Sequence, residues 1–547
     1  MPRLRAERGA GVVYTRDWVV DLMLDLLGYD EKADLGADTI VEPGCGDGAF
    51  LRRIVPRLLR SAEAYGRPIQ DLSTAIRAYE LDARVAGIAR ESVVETLVAY
   101  GVSQEHSARL ADRWVVEGDF LLGELGDQVQ WVVGNPPYVR VEETSAEEYA
   151  KYRAKWKTMT GRADVYIGFY EASLSLLKPG GQLCFICADR WMHNQYGAGL
   201  RKHIIEDFAL RALIEVHDAD VFDVPVAAYP AITLIQRAGH TSTALATANP
   251  HFDEEGAQRL VQWWNSPDRR DKTDDAFSAS VLRGQFRSDG SWPSGPPERL
   301  RLIADLEKRF PSLSEVGVSV GVGMATGADN VYVVTEPGDV EQQFVKEAIG
   351  PADLKHGLVV WSGRYIISPW DGPVLADLTG YPGLAAYFES HRKALEARYV
   401  AKRNPDVWWR TIDRPPVDEY RGRKLVVADI HDRIEPVLDE DGRWPLHSAY
   451  YLTSTDWDIE VLGGYLLSDL AGAFVAAYSV KMANGHLRIS GQYLKKIRLP
   501  TYSEVSESVR RELAAAFRAR DRRRASRAAA AATSDSTLRT GDSPPRD

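Results

Sequence analysis

Residues 39–54 read TIVEPGCGDGAFLRRI. An apolar run ends in Glu42, three glycines follow at Gly44, Gly46 and Gly48, and apolar residues then return at helical spacing. That order predicts a buried strand, a sharp turn and a helix. Glycines let the backbone bend tightly and approach a ligand closely. The spacing is not the G-x-G-x-x-G of dinucleotide sites, and no Lys-Ser or Lys-Thr follows as in a phosphate-binding loop. A carboxylate at the strand end, Glu42, suits a cationic ligand group better than a phosphate.

Outward from this stretch, short apolar runs alternate with helical ones from Thr39 to about Arg237. DTIVEP, AIRAYELD, QWVVGNPP, GQLCFICAD, LRALIEVH and YPAITLIQ read as buried strands; VVDLMLDLL, GAFLRRIVPRLLRSA, FYEASLSLL and LRKHIIEDF read as helices. Such rotation predicts an α/β fold, a doubly wound, mostly parallel sheet covered on both faces. Ligands then bind at the carboxyl ends of its strands. AIRAYELD ends in Glu80, where doubly wound folds place an acid on ribose hydroxyls. WVVEGDFLL puts Asp119 and Phe120 at a third strand end, an acceptor for an adenine amino group and an apolar wall beside its ring. Carboxylates matched to an amine, a ribose and an adenine describe S-adenosyl-L-methionine.

QWVVGNPPYVR, residues 130–140, carries the chemistry. Two prolines after a buried strand remove ladder donors and stiffen the loop, holding Asn135 and the Pro136 carbonyl in place. Both oxygens can accept from one amino group, draw its nitrogen out of conjugation and aim its lone pair at a methyl donor. Tyr138 offers a ring for stacking a planar substrate.

With these motifs in order, the chain resembles the gamma class of N6-adenine DNA methyltransferases of type II restriction–modification systems, typified by a thermophilic enzyme that modifies TCGA. The resemblance rests on GVVYTRDWVVDLMLDLL, VEPGCGDGAF, YELD, GDF, NPPY, RADVYIGFYEASLSLLKPGGQLCFICADRWM and VFDVPVAAYPAITLIQR. It implies a Rossmann-like S-adenosylmethionine-dependent catalytic domain, residues 1–245, and a mixed α+β target-recognition domain, residues 246–500, with a linker-like stretch at 265–297. Residues 501–547 read as an Arg/Ala-rich helix and a disordered tail. It further implies that Thr15 helps hold the methionine carboxylate, with Arg16 where the family commonly has Pro. Phe222 is the implied second ring on a flipped base, and Tyr229 is the alternative. The expected activity is methylation of adenine N6 in double-stranded DNA, protecting host DNA against a separately encoded restriction endonuclease. Looser likeness extends through VSVGVGMATGADNVYVV and GHLRISGQYLKKIRLP.

Three rival readings are weaker. Methyltransferases of an RNA base or a protein glutamine usually lack so large a C-terminal part. A combined restriction–modification polypeptide needs room for a nuclease before the cofactor segment, which begins near residue 11. A catalytically dead specificity subunit would not need an intact Asn135-Pro-Pro-Tyr138.

Composition sets the frame. The 547 residues are 45% hydrophobic and 27% charged, ordinary for a globular chain of several domains. No apolar stretch reaches the ~18 residues of a membrane span. Three cysteines, Cys45, Cys184 and Cys187, cannot form a disulfide framework, and a cytoplasmic monomer is expected. Cys184 and Cys187 lie in an apolar strand and read as core; the histidines show no ligand spacing, so no metal is expected. A net charge of −11 excludes a uniformly basic nucleic-acid coat while leaving room for a local basic cleft. Trp408, Trp409 and Arg410 form an aromatic–basic patch that reads as packing of the second domain before base contact. The C-terminal Arg cluster reads as a solvated helix face.

Overall fold

A computed structural model describes residues 14–224, 229–239, 242–284, 286, 290–479 and 486–534. The chain divides into two compact units, with the boundary between Arg301 and Leu302.

The first unit is built on ten strands: β1 (Ile40–Glu42), β2 (Ile76–Glu80), β3 (Val115–Glu117), β4 (Val129–Gly134), β5 (Leu177–Ala188), β6 (Ala209–Glu215), β7 (Pro230–Gln236), β8 (Ser242–Ala248), β9 (Lys272–Thr273) and β10 (Phe277–Arg283). They form one sheet in the order β3-β2-β1-β4-β5-β7-β6-β8-β10-β9. From β3 to β5 every pairing is parallel. Beyond β5 the sheet is mixed, with β7 antiparallel to both β5 and β6 and β10 antiparallel to β8 and β9. The expected mostly parallel sheet is therefore confined to the half that carries the Gly-rich and Asn-Pro-Pro loops. The chain winds outward from β1 to β3, then returns to place β4 on the other side of β1. That reversal sets the loops after β1 and β4 side by side.

The helices are α1 (Asp17–Leu26), α2 (Leu51–Ala64), α3 (Ala83–Ala99), α4 (Gln104–Trp114), α5 (Ala146–Lys155), α6 (Tyr166–Leu176), α7 (Arg190–His193), α8 (Ala198–Asp207) and α9 (Glu254–Asn265). Successive strand side chains face opposite sides, and both sides are covered. Val133, Cys184 and Ile186 join a core with residues of α1, α2, α3 and α9, whereas Phe185 meets Tyr170 of α6 edge to face at 5.1 Å. The cysteines are free and buried, and burial pushes their thiols up. No single helix among the described residues is long and apolar enough to cross a membrane.

Two expected boundaries are corrected. The division at residue 245 falls inside β8, and the linker-like stretch 265–297 contains β9 and β10. β10 pairs with β8 from Phe277↔Ala248 to Arg283↔Ser242. Ala244, Ala246, Ala248, Ala279 and the α9 residues Leu260 and Trp263 belong to the same core as α1. Runs of Ala, Ser and Thr read as loop in sequence; here their small side chains let helices press closely onto the sheet. The segment after residue 500 also belongs to the second unit, as two helices, Glu507–Ala519 and Arg522–Ser534. A Cβ on Gly464, in helix Ile459–Leu467, would lie 2.1 Å from the Leu513 carbonyl oxygen, so Gly464 permits a tight helix crossing. The tail from residue 535 lies outside the described residues.

The second unit also holds an antiparallel sheet, in the order Val318–Val322, Ala449–Ser454, Lys424–Ala428, Val437–Asp439. A mixed sheet is ordered Val333–Val334, Tyr365–Ile367, Val345–Ile349, Trp444–Pro445.

Candidate active site

A cavity of about 400 Å³ opens at the carboxyl ends of β1, β2, β3 and β4. Thr15, Glu42, Gly44, Gly46, Glu80, Asp119, Phe120, Asn135 and Pro136 all line it. Eight residues from separate strand ends, and Thr15 from the segment before α1, therefore converge on one space.

The Gly-rich turn is held by its neighbours. Gly46 and Gly48 have φ of +53° and +88°, values that favour glycine. Gly46 N–H donates to Glu80 Oε2 at 3.0 Å, and Asp82 N–H donates to Glu80 Oε1 at 3.0 Å. Cys45 N–H donates to the Tyr79 carbonyl at 2.8 Å, tying the turn to β2. Glu42 is 1% exposed, and its Oε2 has no hydrogen-bond partner among the described residues. Burial, then the Asp47 and Glu80 carboxylates, push its pKa well above the usual carboxylate range. An acid so placed fits an ammonium group, which would restore its ionisation. The donor set thus fits S-adenosylmethionine.

Asp119 both shapes the turn after β3 and faces the cavity. Its Oδ1 accepts from Leu121 N–H at 2.8 Å and Leu122 N–H at 3.2 Å. Its Oδ2 accepts from the Tyr152 hydroxyl at 2.9 Å. Phe120 stacks on Phe169 at 5.6 Å and meets Tyr79 edge-on at 5.1 Å, completing an aromatic wall. Tyr152, Glu148 and Phe169 were not found by sequence reading. Tyr152 and Glu148 come from α5 and Phe169 from α6, and the buried Tyr152 and Phe169 look like ordinary helix-core positions, so no local signal marked them.

Asn135 follows β4 directly, and its Nδ2 donates to Thr15 Oγ1 at 3.2 Å. Thr15 is 4% exposed and its segment is strapped in place: Thr15 bridges Phe222 as an isolated β-pair, Arg16 N–H donates to the Val221 carbonyl at 3.1 Å, and Arg16 pairs with Asp220. A residue implied only for cofactor binding thus also touches the Asn135 amide.

Two aromatic expectations fare differently. Tyr138 does not line the cavity; it is half-buried, and its hydroxyl donates to the Ile186 carbonyl at 3.5 Å. Phe222 is 4% exposed and belongs to the core shared with α1 and α9. Its assignment as a base-stacking ring is corrected, because pairing with Thr15 turns this position into the core and leaves no ring face open to a base. Tyr229 is half-buried at the start of β7, edge-on to His217 at 5.3 Å. His217 in turn lies 2.9 Å from Asp189, whose N–H donates to the Tyr229 carbonyl at 3.0 Å. In the second unit, Trp408 is buried in its core and Trp409 Nε1 donates to the Ala376 carbonyl at 3.2 Å, so both indoles pack within that unit.

Comparison with known proteins agrees with this geometry. Residues 104–222, from α4 through the Asn-Pro-Pro loop, match the Eco57I restriction-modification methylase family. The chain is 40% identical over 516 residues to the type II methyltransferase M.PaeR7I of Pseudomonas aeruginosa, covering 93% of this chain and 89% of that enzyme. It is 39% identical over 536 residues to M.XhoI of Xanthomonas vasicola, covering 95% and 96%. The DNA complex of the type IIL restriction–modification enzyme MmeI shares the fold, with a TM-score of 0.57 at 12% identity over 97% of this chain and 74% of that one. The chain therefore belongs to the type II DNA methyltransferases of restriction–modification systems, S-adenosylmethionine-dependent enzymes that methylate adenine N6 and so protect host DNA.

Proposed function

We propose that this enzyme acts on an adenine rotated out of duplex DNA, in the gamma-class arrangement, with the amino group held by Asn135 Oδ1 and the Pro136 carbonyl. The observation that carries this reading is the Asn135 amide at the β1/β4 reversal, its nitrogen end engaged by Thr15 beside the Gly-rich turn. That bond orients the amide, so its oxygen end is the one to accept from a substrate.

Glu42 would hold the cofactor's ammonium, Glu80 its ribose hydroxyls, Asp119 its adenine amino group and Phe120 the side of its ring; Thr15 remains at the methionine end. Bound S-adenosylmethionine supplies an electrophilic sulfonium methyl. Asn135 and Pro136 accept the two N–H bonds and leave the nitrogen lone pair available. Neither oxygen is basic enough to take the proton, which leaves to water after transfer. Burial keeps Tyr138 a neutral phenol, with a ring suited to one face of the base. Tyr229 serves the opposite face. The second unit reads the target sequence, the enzyme works as a cytoplasmic monomer, and a separate endonuclease completes the system.

Asn135→Ala tests this directly. Turnover should fall at least 100-fold, about 3 kcal/mol of transition-state stabilisation, while calorimetric cofactor affinity holds. Sequencing-based mapping of modified adenines in a host expressing each protein should show methylation at one sequence with the wild type and none with the variant. Near wild-type methylation by Asn135→Ala would refute the role.

A further inference from the structure

Within the second unit, residues 390–414 read SHRKALEARYVAKRNPDVWWRTIDR, with seven Arg and Lys against three Asp and Glu, in a chain whose net charge is −11. The indoles of this segment pack inward, but the residues around them build a surface. A cavity of about 670 Å³ is lined by Gly327, Arg398, Tyr399, Arg403, Asn404 and Ile412, among others. Tyr399 is 73% exposed and Ile412 51%, both large apolar side chains presented to solvent. The Arg403 guanidinium lies over the Tyr399 ring, 5.6 Å from its centre, and donates to its hydroxyl at 3.3 Å.

The walls are braced. Arg398 donates through Nη1 to the Thr326 carbonyl at 2.8 Å, and through Nη2 to the carbonyls of Trp408 at 2.7 Å and Arg410 at 2.9 Å. One guanidinium thus clamps the turn at Gly327, whose φ is +77°, to the loop that carries Ile412. The other cations behave differently. Most arginines of this unit sit in ion pairs, such as Arg364, Arg443, Arg518 and Arg524. Among the described residues, Lys393, Lys402, Arg403 and Arg414 are in none. Exposed cations without carboxylate partners are what a phosphate backbone neutralises, and the exposed Tyr399 and Ile412 beside them suit apolar contact with base edges.

We infer that this face is a DNA-contacting surface of the second unit, in which Lys402 and Arg403 engage phosphates and Tyr399 and Ile412 meet the bases. The inference rests on the reading that this unit recognises the target. Its test uses the full chain with two probes: a mixed-sequence duplex, and a duplex containing a site the enzyme has been mapped to methylate. Lys402→Gln with Arg403→Gln should flatten the slope of log affinity against log salt by about 0.9 for each lost phosphate contact on both duplexes. Tyr399→Ala should weaken binding to the mapped site at least tenfold and to the mixed duplex far less. Melting temperature and cofactor affinity should hold in both variants. Unchanged salt slope and affinity overturn the inference and would assign these cations to a protein partner. Hydrogen exchange separates the two levels. Protection of residues 392–414 by the mapped duplex supports the surface. Protection elsewhere in 302–534 but not there overturns the surface alone, and none across 302–534 overturns the recognition role as well.

Discussion

Thr15 and Glu42 show how single residues at this site answer to more than one constraint. The Thr15 hydroxyl accepts from Asn135 at 3.2 Å, so Thr15→Val should lower kcat about fivefold, the ~1 kcal/mol of a neutral hydrogen bond, and should also weaken cofactor binding through the lost contact at the methionine end. Thr15→Ser should restore the rate. A weakened calorimetric Kd at unchanged kcat would instead confine Thr15 to the methionine carboxylate. Glu42 carries a pH signature. Its folded pKa is raised by burial and by Asp47 and Glu80, so the folded chain binds its proton more tightly than the unfolded chain does. Its contribution to stability is therefore least unfavourable below the unfolded value, near 4.3, and worsens as pH rises towards the folded value. Glu42→Gln removes that cost. The cofactor-free variant should melt progressively higher than wild type between about pH 4 and pH 7, while its cofactor affinity falls. A difference from wild type that stays constant with pH would show that Glu42 binds its proton no more tightly in the folded chain than in the unfolded one.

At the scale of elements, the turn after β3 joins structure and binding. Asp119 Oδ1 caps the Leu121 and Leu122 amides, and Oδ2 receives the Tyr152 hydroxyl of α5. Asp119→Ala should weaken cofactor binding by ~1–3 kcal/mol through the unpaired donor it leaves. It should also lower the melting temperature, because the turn loses its cap. Tyr152→Phe spares the cap, so it should shift affinity without a comparable loss of stability. Calorimetry and thermal melting on both variants check this; unchanged affinity in a folded Asp119→Ala protein would remove Asp119 from the cofactor site.

For the whole molecule, the boundary at Arg301 decides which fragment folds. A fragment ending at residue 245 cuts through β8 and loses α9 and β10, uncovering Ile214 of β6 and the α1 face that meets α9. It should aggregate. Residues 1–301 keep the whole ten-stranded sheet and should remain soluble and bind S-adenosylmethionine while losing sequence-specific DNA binding. Light scattering, calorimetry and gel shift on the two fragments test this. Sequence-specific methylation by residues 1–301 would place recognition in the first unit.

What the sequence by itself determined is the chemistry that lives within consecutive residues. Gly46 and Gly48 announce a turn because only glycine adopts its φ freely; Asn135-Pro-Pro announces a rigid acceptor pair because prolines cannot continue a ladder. Glu42, Glu80 and Asp119 were legible as strand-end acids because the alternation of strand and helix implies where strand ends meet. Tertiary structure alone decided the rest, since it depends on partners far away in the chain. Tyr152 reaches Asp119 across 33 residues, and nothing in its helix distinguishes it from core. Phe222 follows an implied motif position yet turns inward, because Thr15, 207 residues earlier, pairs with its backbone. β8 and β10 are too rich in Ala, Ser and Thr to read as strands, and become so only when each supplies the other's hydrogen bonds and a helix closes over their small side chains.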